Sequence, residues 1–299
     1  MSIHHHHHAQ PSSTLDRAFA FGIALNLAFV AIEAWFGWKV NSLALLADAG
    51  HNLSDVAGLV LAWVATVVGR RRANTRNTYG WQRASVLAAF ANSLLLLLAM
   101  GALGWEAITR LPGGGVTDGL TIIWVAGVGI VINATTALLF MRNQAHDLNV
   151  RGAFLHMAAD AAVSAGVVIA GLLYLTYGWA WMDPVMSLLI AAIIVFGSWR
   201  LFRQSLHLLF DGVPEHVDPD AVQAWLSARP GVSEVHDLHI WALSTTEVAL
   251  TAHLVMPGGH PGDEFLEEVT EELLHRFKIV HPTLQIETSA MSHVCVQTR

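Results

Sequence analysis

The sequence predicts a bundle of six membrane-spanning helices followed by a small cytoplasmic α+β domain. Three observations carry that prediction. Six apolar runs each approach the ~20 residues a bilayer core requires. Arginines gather in alternate loops, as the positive-inside rule demands of cytoplasmic ones. After Asp211-Gly212-Val213-Pro214 the composition becomes that of a water-soluble fold.

Of the 299 residues 54% are hydrophobic and 13% charged, about half the charge of an ordinary soluble domain. The net charge of −7 is segregated: arginines cluster in short loops and acids collect after Phe210. With only Lys39 and Lys278 and no basic stripe, nucleic acid is excluded as a partner. The single cysteine, Cys295, excludes an internal disulfide framework and a thiolate metal cage within one chain.

Residues 1–15 form a polar tail containing His4 to His8, without the pattern of a cleaved signal peptide. The five histidines fit either a purification remnant or a native metal-catching tail. A transmembrane domain is expected over 16–205, with spans at Phe19–Phe36, Leu43–Val68, Val86–Ile108, Leu120–Met141, Gly152–Tyr177 and Trp181–Leu201. Arg70, Arg71, Arg72, Arg76 and Arg83 follow span two; Arg142 and Arg151 follow span four; Arg200 and Arg203 close span six. The other side holds only Lys39 and Arg110, so both termini are expected in the cytoplasm. Tyr177, Trp179 and Trp181 suit the outer interfacial belt.

Residues 206–213 are a linker, and 214–299 the soluble domain. Pro219–Ala228 predicts a helix; Val232–Leu243 and Glu247–Met256 alternate as strands around a Ser-Thr-Thr turn. Asp263–Phe277 predicts an acidic helix ended by His275, Arg276 and Lys278, as the helix dipole favours. Thr283–Thr288 is a last strand. The order α-β-β-α-β gives a small sheet with helices on one face.

The chemistry sits in span two. His51 and Asp55 are four apart and Asp48 three before His51, so all three share one helical face. Charged groups at mid-membrane cost roughly 2.5–3.5 kcal/mol each on the insertion scale, which demands a compensating partner. Span five supplies the same spacing in His156 and Asp160. Two nitrogens and two oxygens around one point suit zinc and its neighbours. A buried polar network holding helices together is the alternative, but two matched turns are costly for packing alone. Asn26, Asn92 and Asn133 are expected to hydrogen-bond between helices.

The sequence resembles the cation diffusion facilitator family, divalent-metal/proton antiporters, in its zinc-transporting branch. The resemblance rests on Ser42 to His51 with Ser54-Asp55, on Tyr79-Gly80-Trp81-Gln82-Arg83, and on Leu148 to His156. It continues through Trp181-Met182-Asp183-Pro184 and His236-Asp237-Leu238-His239-Ile240-Trp241-Ala242-Leu243. It implies six transmembrane helices, a cytoplasmic ferredoxin-like domain for metal sensing and dimerisation, a homodimer, and a bacterial inner-membrane location. It further implies a transport site of His51, Asp55, His156 and Asp160. Asp48, on the same face as His51, is read from its position either as an acceptor that fixes an imidazole N–H or as a helix-packing residue. His236, His253, His281 and Glu287 match positions that bind regulatory metal in relatives, with His239 as runner-up; His293 and Cys295 are set aside. Arg83 and Asp211 match an interlocking charge pair. The chain departs from the family at Ser85, where an acid is frequent, and at Asn77 and Trp81, where an additional metal site would need histidines.

Exchange of metal for protons then follows from charge. Zinc with two carboxylates and two neutral imidazoles sums to zero, as does the empty site with both histidines protonated. Free histidine titrates near ~6.5, within reach of cellular pH, and metal binding must displace ligand protons. The expected function is export of Zn2+, with Cd2+ or Co2+, against protons by alternating access. The competing reading is a non-transporting metal-responsive receptor, which has no need of a buried midplane site. A metallohydrolase would want a motif such as HExxH, which the sequence lacks, so no enzyme is expected.

Overall fold

A computed structural model describes residues 27–69, 71, 73–113, 118–141 and 148–289. They divide into two compact units, residues 27–59 with 94–199, and residues 60–93 with 200–289.

The helices are α1 (27–39), α2 (Leu43–Gly69), α3 (Ala84–Arg110), α4 (Gly119–Met141), α5 (Leu148–Tyr177) and α6 (Met182–Leu209). Among the described residues four are long and apolar enough to cross a membrane: Leu43–Gly69, Ala84–Arg110, Met157–Tyr177 and Met182–Leu209. Span one enters the described set only at residue 27, and the apolar described stretch of α4 is the shorter Gly119–Thr135. The expected tail, Asn26, Arg70, Arg72, Arg142, His146, His293 and Cys295 lie outside the described residues.

The core of the first unit joins Ala44, Leu45 and Ala47 of α2 to Met100 of α3, Ala126 of α4, Val167 of α5 and Ile190 of α6. Small residues let these helices approach. A Cβ on Gly119 would lie 3.1 Å from the Gly171 carbonyl, and one on Gly171 3.2 Å from the Gly119 carbonyl. Lipid cannot drive helices together hydrophobically, so such close backbone packing is a main source of their association. Outward-facing Trp105, Trp124, Val131 and Phe196 are exposed, as lipid-facing side chains should be. Between α1 and α2, Asn41 takes a left-handed conformation (φ 58°) that reverses the chain.

The second unit holds α7 (Pro219–Ser227), β1 (Glu234–Ala242), β2 (Val248–Val255), α8 (Asp263–Phe277) and β3 (Ile279–Glu287). The sheet order is β1-β2-β3, with β1 antiparallel and β3 parallel to the central β2. A parallel neighbour requires a crossover, which α8 provides. Asp218 caps α7 by accepting from Asp220 N and Ala221 N, with Pro219 in the first turn. Val222, Trp225 and Leu226 of α7 and Val269 and Leu273 of α8 pack on Val235, Ile240, Leu250 and Leu254. The sequence places Ala221 on that buried face, but it is exposed. β3 begins at Ile279 rather than Thr283, because an edge strand tolerates Pro282, which pairs with Leu250.

In this unit Ser85 accepts from Thr245 N at 3.1 Å, giving the serine that replaces an acid a role at the β1–β2 turn. Arg83 donates to the Asp211 carboxylate, both side chains being half-exposed or more. Arg200 and Glu215 pair at 2.8 Å nearby in sequence.

Candidate metal centres

The first cluster forms in the α2–α5 unit. The 3.6-residue helical period stacks His51 and Asp55, and His51 Nε2 lies 3.6 Å from Asp55 Oδ2. Across from α2, Asp160 of α5 brings Oδ1 to 3.4 Å from the same nitrogen. Ligand atoms of all three lie within 4.8 Å of one another. A tetrahedral ion with bonds of ~2.0–2.1 Å has ligand atoms roughly 3.3–3.4 Å apart; the His51–Asp160 edge of 3.4 Å matches that and the His51–Asp55 edge of 3.6 Å is slightly longer. Asp160 is buried while His51 and Asp55 are partly exposed, which leaves the cluster reachable. His156 is one turn before Asp160 on α5, and its side chain lies outside the described residues.

Among the described residues Asp48, expected as the acceptor of an imidazole N–H or as a packing residue, has Ser164 of α5 as its hydrogen-bond donor, 3.0 Å from Oδ2. It lies against a residue that the sequence analysis missed. Glu33 of α1 is wholly buried beside Asp48 and Asn52. The signal was present, since a carboxylate inside an apolar span is a functional candidate by default. Asn133, expected to hydrogen-bond between helices, is buried, and its amide nitrogen meets no acceptor among the described residues.

The second cluster lies on the small sheet. His236 of β1 pairs with His253 of β2, and Glu287 closes β3 opposite Val255. His253 Nδ1 is 2.8 Å from Glu287 Oε1, and His236 Nε2 is 3.1 Å from Glu287 Oε2. The two imidazoles meet edge to face with centroids 5.1 Å apart. Burial alone would raise the Glu287 carboxyl. Hydrogen bonds from His236 and Gln285, with the charges of His236 and His253, outweigh that and hold it below its ordinary value. All three residues are partly buried, with ligand atoms within 4.8 Å of one another.

His281 does not join them. It is six residues before Glu287 on a strand rising about 3.3 Å per residue, hence roughly 20 Å away. Its ring instead lies edge-on to Tyr79, centroids 5.3 Å apart. Asp237, unremarked in the sequence, takes its vicinity: its carboxylate is 3.0 Å from His239 Nε2 and 3.6 Å from His253 Nε2. A β-bulge between His236 and His239 puts Asp237 at φ 50°. The extra residue reverses the alternation, so Val235 and Ile240 face the core while His236 and His239 both face away from it.

The family described as "Cation efflux transmembrane domain" matches residues 20–210, and that described as "Cation efflux protein, cytoplasmic domain" matches residues 214–289. The "Cadmium, cobalt and zinc/H(+)-K(+) antiporter" of Bacillus subtilis is 34% identical over 89% of this chain and 86% of its own length. The "Metal cation efflux system protein CzcD" of Cupriavidus metallidurans is 35% identical over 94% and 89%. "Zinc transporter ZitB" of Escherichia coli is 32% identical over 94% and 92%. A solved structure, "Metal-bound C-terminal domain of the CzcD transporter from Cuprividus metallidurans", is 42% identical over 24% of this chain and 99% of its own, with a TM-score of 0.23.

Proposed function

Because the chain belongs to the cation efflux family, matched across both its transmembrane and its cytoplasmic part, we propose that it is a multi-pass membrane transporter exporting Zn2+, with Cd2+ and Co2+ as further substrates, in exchange for protons. The observation that carries this reading is the meeting of His51 and Asp55 with Asp160 from a second apolar helix. His156 completes four ligands as the repeat of the His/Asp spacing on α5. A midplane site between two helices suits alternating access, in which the same ligands face first one side and then the other. Protons take the metal's place because an empty site with ionised carboxylates and neutral imidazoles is costly in a low dielectric.

The rest of the architecture follows the same reading. Six spans over 16–205, both termini in the cytoplasm of a bacterial inner membrane, and a short 206–213 connection agree with the arginine distribution. The α7-β1-β2-α8-β3 order supports a ferredoxin-like cytoplasmic domain. The short name of the family matched over 214–289, ZT_dimer, supports the reading that the protein acts as a homodimer. His236, His253 and Glu287 hold a regulatory metal there, and the Arg83–Asp211 pair joins the cytoplasmic domain to the entrance of span three.

Proteoliposomes with an imposed pH gradient test the proposal. Wild type should carry zinc only while the gradient stands, and Asp160→Ala should lose transport while remaining a folded dimer. Zinc flux unchanged in Asp160→Ala, or indifferent to the gradient, overturns it.

A further inference from the structure

The buried acids beside the metal cluster are unused by the mechanism above. Glu33 of α1 is 0% exposed and Asp48 of α2 is 1% exposed, and the two are neighbours. Neither Glu33 oxygen, nor Asp48 Oδ1, meets a donor at full hydrogen-bond geometry among the described residues, and the Asn52 amide beside Glu33 offers a neutral donor but no charge. An ionised carboxylate is acceptor-only, so two of them side by side have nothing to offer each other. Their mutual repulsion, without water, disfavours the doubly ionised state.

Among the described residues no lysine or arginine acts on them. Asp160 of α5 adds a further negative charge, and His51 of α2 is the ionisable group of opposite tendency near Asp48. α4 carries no ionisable residue. Glu106 and Arg110 of α3 pair with each other, and Asp183 of α6 is engaged at the first turn of α2. One proton held between the carboxyls meets the requirement. It turns one acid into a donor, halves the charge, and leaves Ser164 to hold the remaining Asp48 oxygen.

Position gives the pair a purpose. Asp48 precedes His51 by three residues, about 4.5 Å along α2, and Ser164 follows Asp160 by four, about 6 Å along α5. In the orientation proposed above α2 runs inward and α5 outward, so both displacements point to the outer face. A proton entering from outside therefore reaches the pair before the metal ligands. Ser164 ties it to the helix that carries Asp160.

We infer that Glu33 and Asp48 are a proton-carrying carboxyl pair on the outer side of the metal cluster, losing its proton when metal binds and regaining it when metal leaves. A divalent ion one turn away favours the ionised pair, and its departure favours the protonated one. This inference rests on the proton-coupled export proposed above and adds a proton to the exchange beyond those of the imidazoles.

The test uses full-length protein in nanodiscs, counting protons released per zinc bound in weakly buffered solution with an indicator dye. Glu33→Gln and Asp48→Asn should bind zinc with unchanged stoichiometry and release about one fewer proton per ion. Equal release in wild type and both variants overturns the inference. An infrared difference spectrum of the wild type judges it even where a variant fails to fold. A protonated-carboxyl band should vanish on adding zinc, and its absence from the zinc-free protein overturns the pair. Zinc-driven release of potassium in place of that proton makes the site one for a metal cation, and also overturns it. A wild type that releases the extra proton yet carries no zinc in proteoliposomes overturns the export reading and upholds the pair.

Discussion

Asp183, in the first turn of α6, closes the first turn of α2 through Ser42. Its carboxylate accepts from the Ser42 hydroxyl, from Leu43 N at 2.8 Å and from Ala44 N at 3.4 Å. Ser42 in turn accepts from Leu45 N at 3.3 Å. The first amides of a helix have no partner within it, and here, where Ser42 and Asp183 are buried, water does not replace one. A carboxylate from another helix does, with the helix dipole favouring its charge. The helix that carries His51 and Asp55 is thus fixed at one end by α6.

Asp183→Ala should accordingly destabilise the membrane domain by about 1.5–3 kcal/mol, the worth of hydrogen bonds to a charged group. Ser42→Ala should cost less, because the Leu43 and Ala44 amides keep their acceptor. Thermal midpoints of both variants in one detergent check the order; a Ser42→Ala loss equal to or above that of Asp183→Ala contradicts it.

The cluster itself predicts a change of preference. His51→Asp replaces a nitrogen donor by oxygen within 3.6 Å of Asp55 and 3.4 Å of Asp160. An all-oxygen face suits harder cations. Competition by manganese against zinc uptake should rise in this variant and competition by cadmium should fall. Identical competition profiles would remove His51 from the ligand set.

These sites were unequally legible in the sequence. His51 with Asp55, and His156 with Asp160, lie within one helical turn of each other, so spacing alone puts each pair on one face. Glu33 stood in plain view in an apolar run. Its meaning depends on which helix packs against α1, and periodicity does not supply that. On the sheet, alternation located the strands but not the bulge at Asp237, with its residue at φ 50°, that turns both His236 and His239 outward. Nor did it supply the register of β3, which opposes Glu287 to Val255 and His281 to Ala249. A strand pattern gives faces, whereas a ligand set also needs positions along the strand.

That difference separates two substitutions in the fragment from Val213 onward, which has its own core around Leu226, Leu250 and Leu273. His253→Ala should weaken zinc binding by at least about 10–100-fold, the loss that disturbing merely a ligand's hydrogen-bond partner brings. His281→Ala should leave it unchanged. Calorimetric titration of the two decides, and equal losses would place His281 back among the ligands.

In the metal-free fragment Glu287 also sets an acid response. Its carboxyl is held below its ordinary value of 4.5 against the opposing effect of burial, by bonds from His236 and Gln285 and the charges of His236 and His253. A depressed carboxyl contributes stability that is complete above the unfolded value and is lost as pH falls through the folded one. The fragment's thermal midpoint should therefore fall below about pH 4.5 more steeply in wild type than in Glu287→Gln. Parallel curves, measured with a chelator present, would show that Glu287 gains nothing from its histidines.

The Arg83–Asp211 pair permits a sharper test than its geometry suggests. The guanidinium meets the carboxylate directly, yet the side chains are 50% and 59% exposed. Water and salt screen such a pair, and double-mutant cycles on exposed pairs give about 0.2–1 kcal/mol. Asp211 also adopts φ 58° immediately before Gly212, so it turns the chain whatever its charge does. Asp211→Asn preserves the tolerance of that conformation and removes only the charge. Arg83→Gln, Asp211→Asn and the double variant should then show a coupling below about 1 kcal/mol in thermal stability at moderate salt. Coupling in transport rate well above that found for stability would mean that the pair acts during the cycle, as an interlock should, rather than in holding the resting protein together. Coupling absent from both would reduce it to a surface contact.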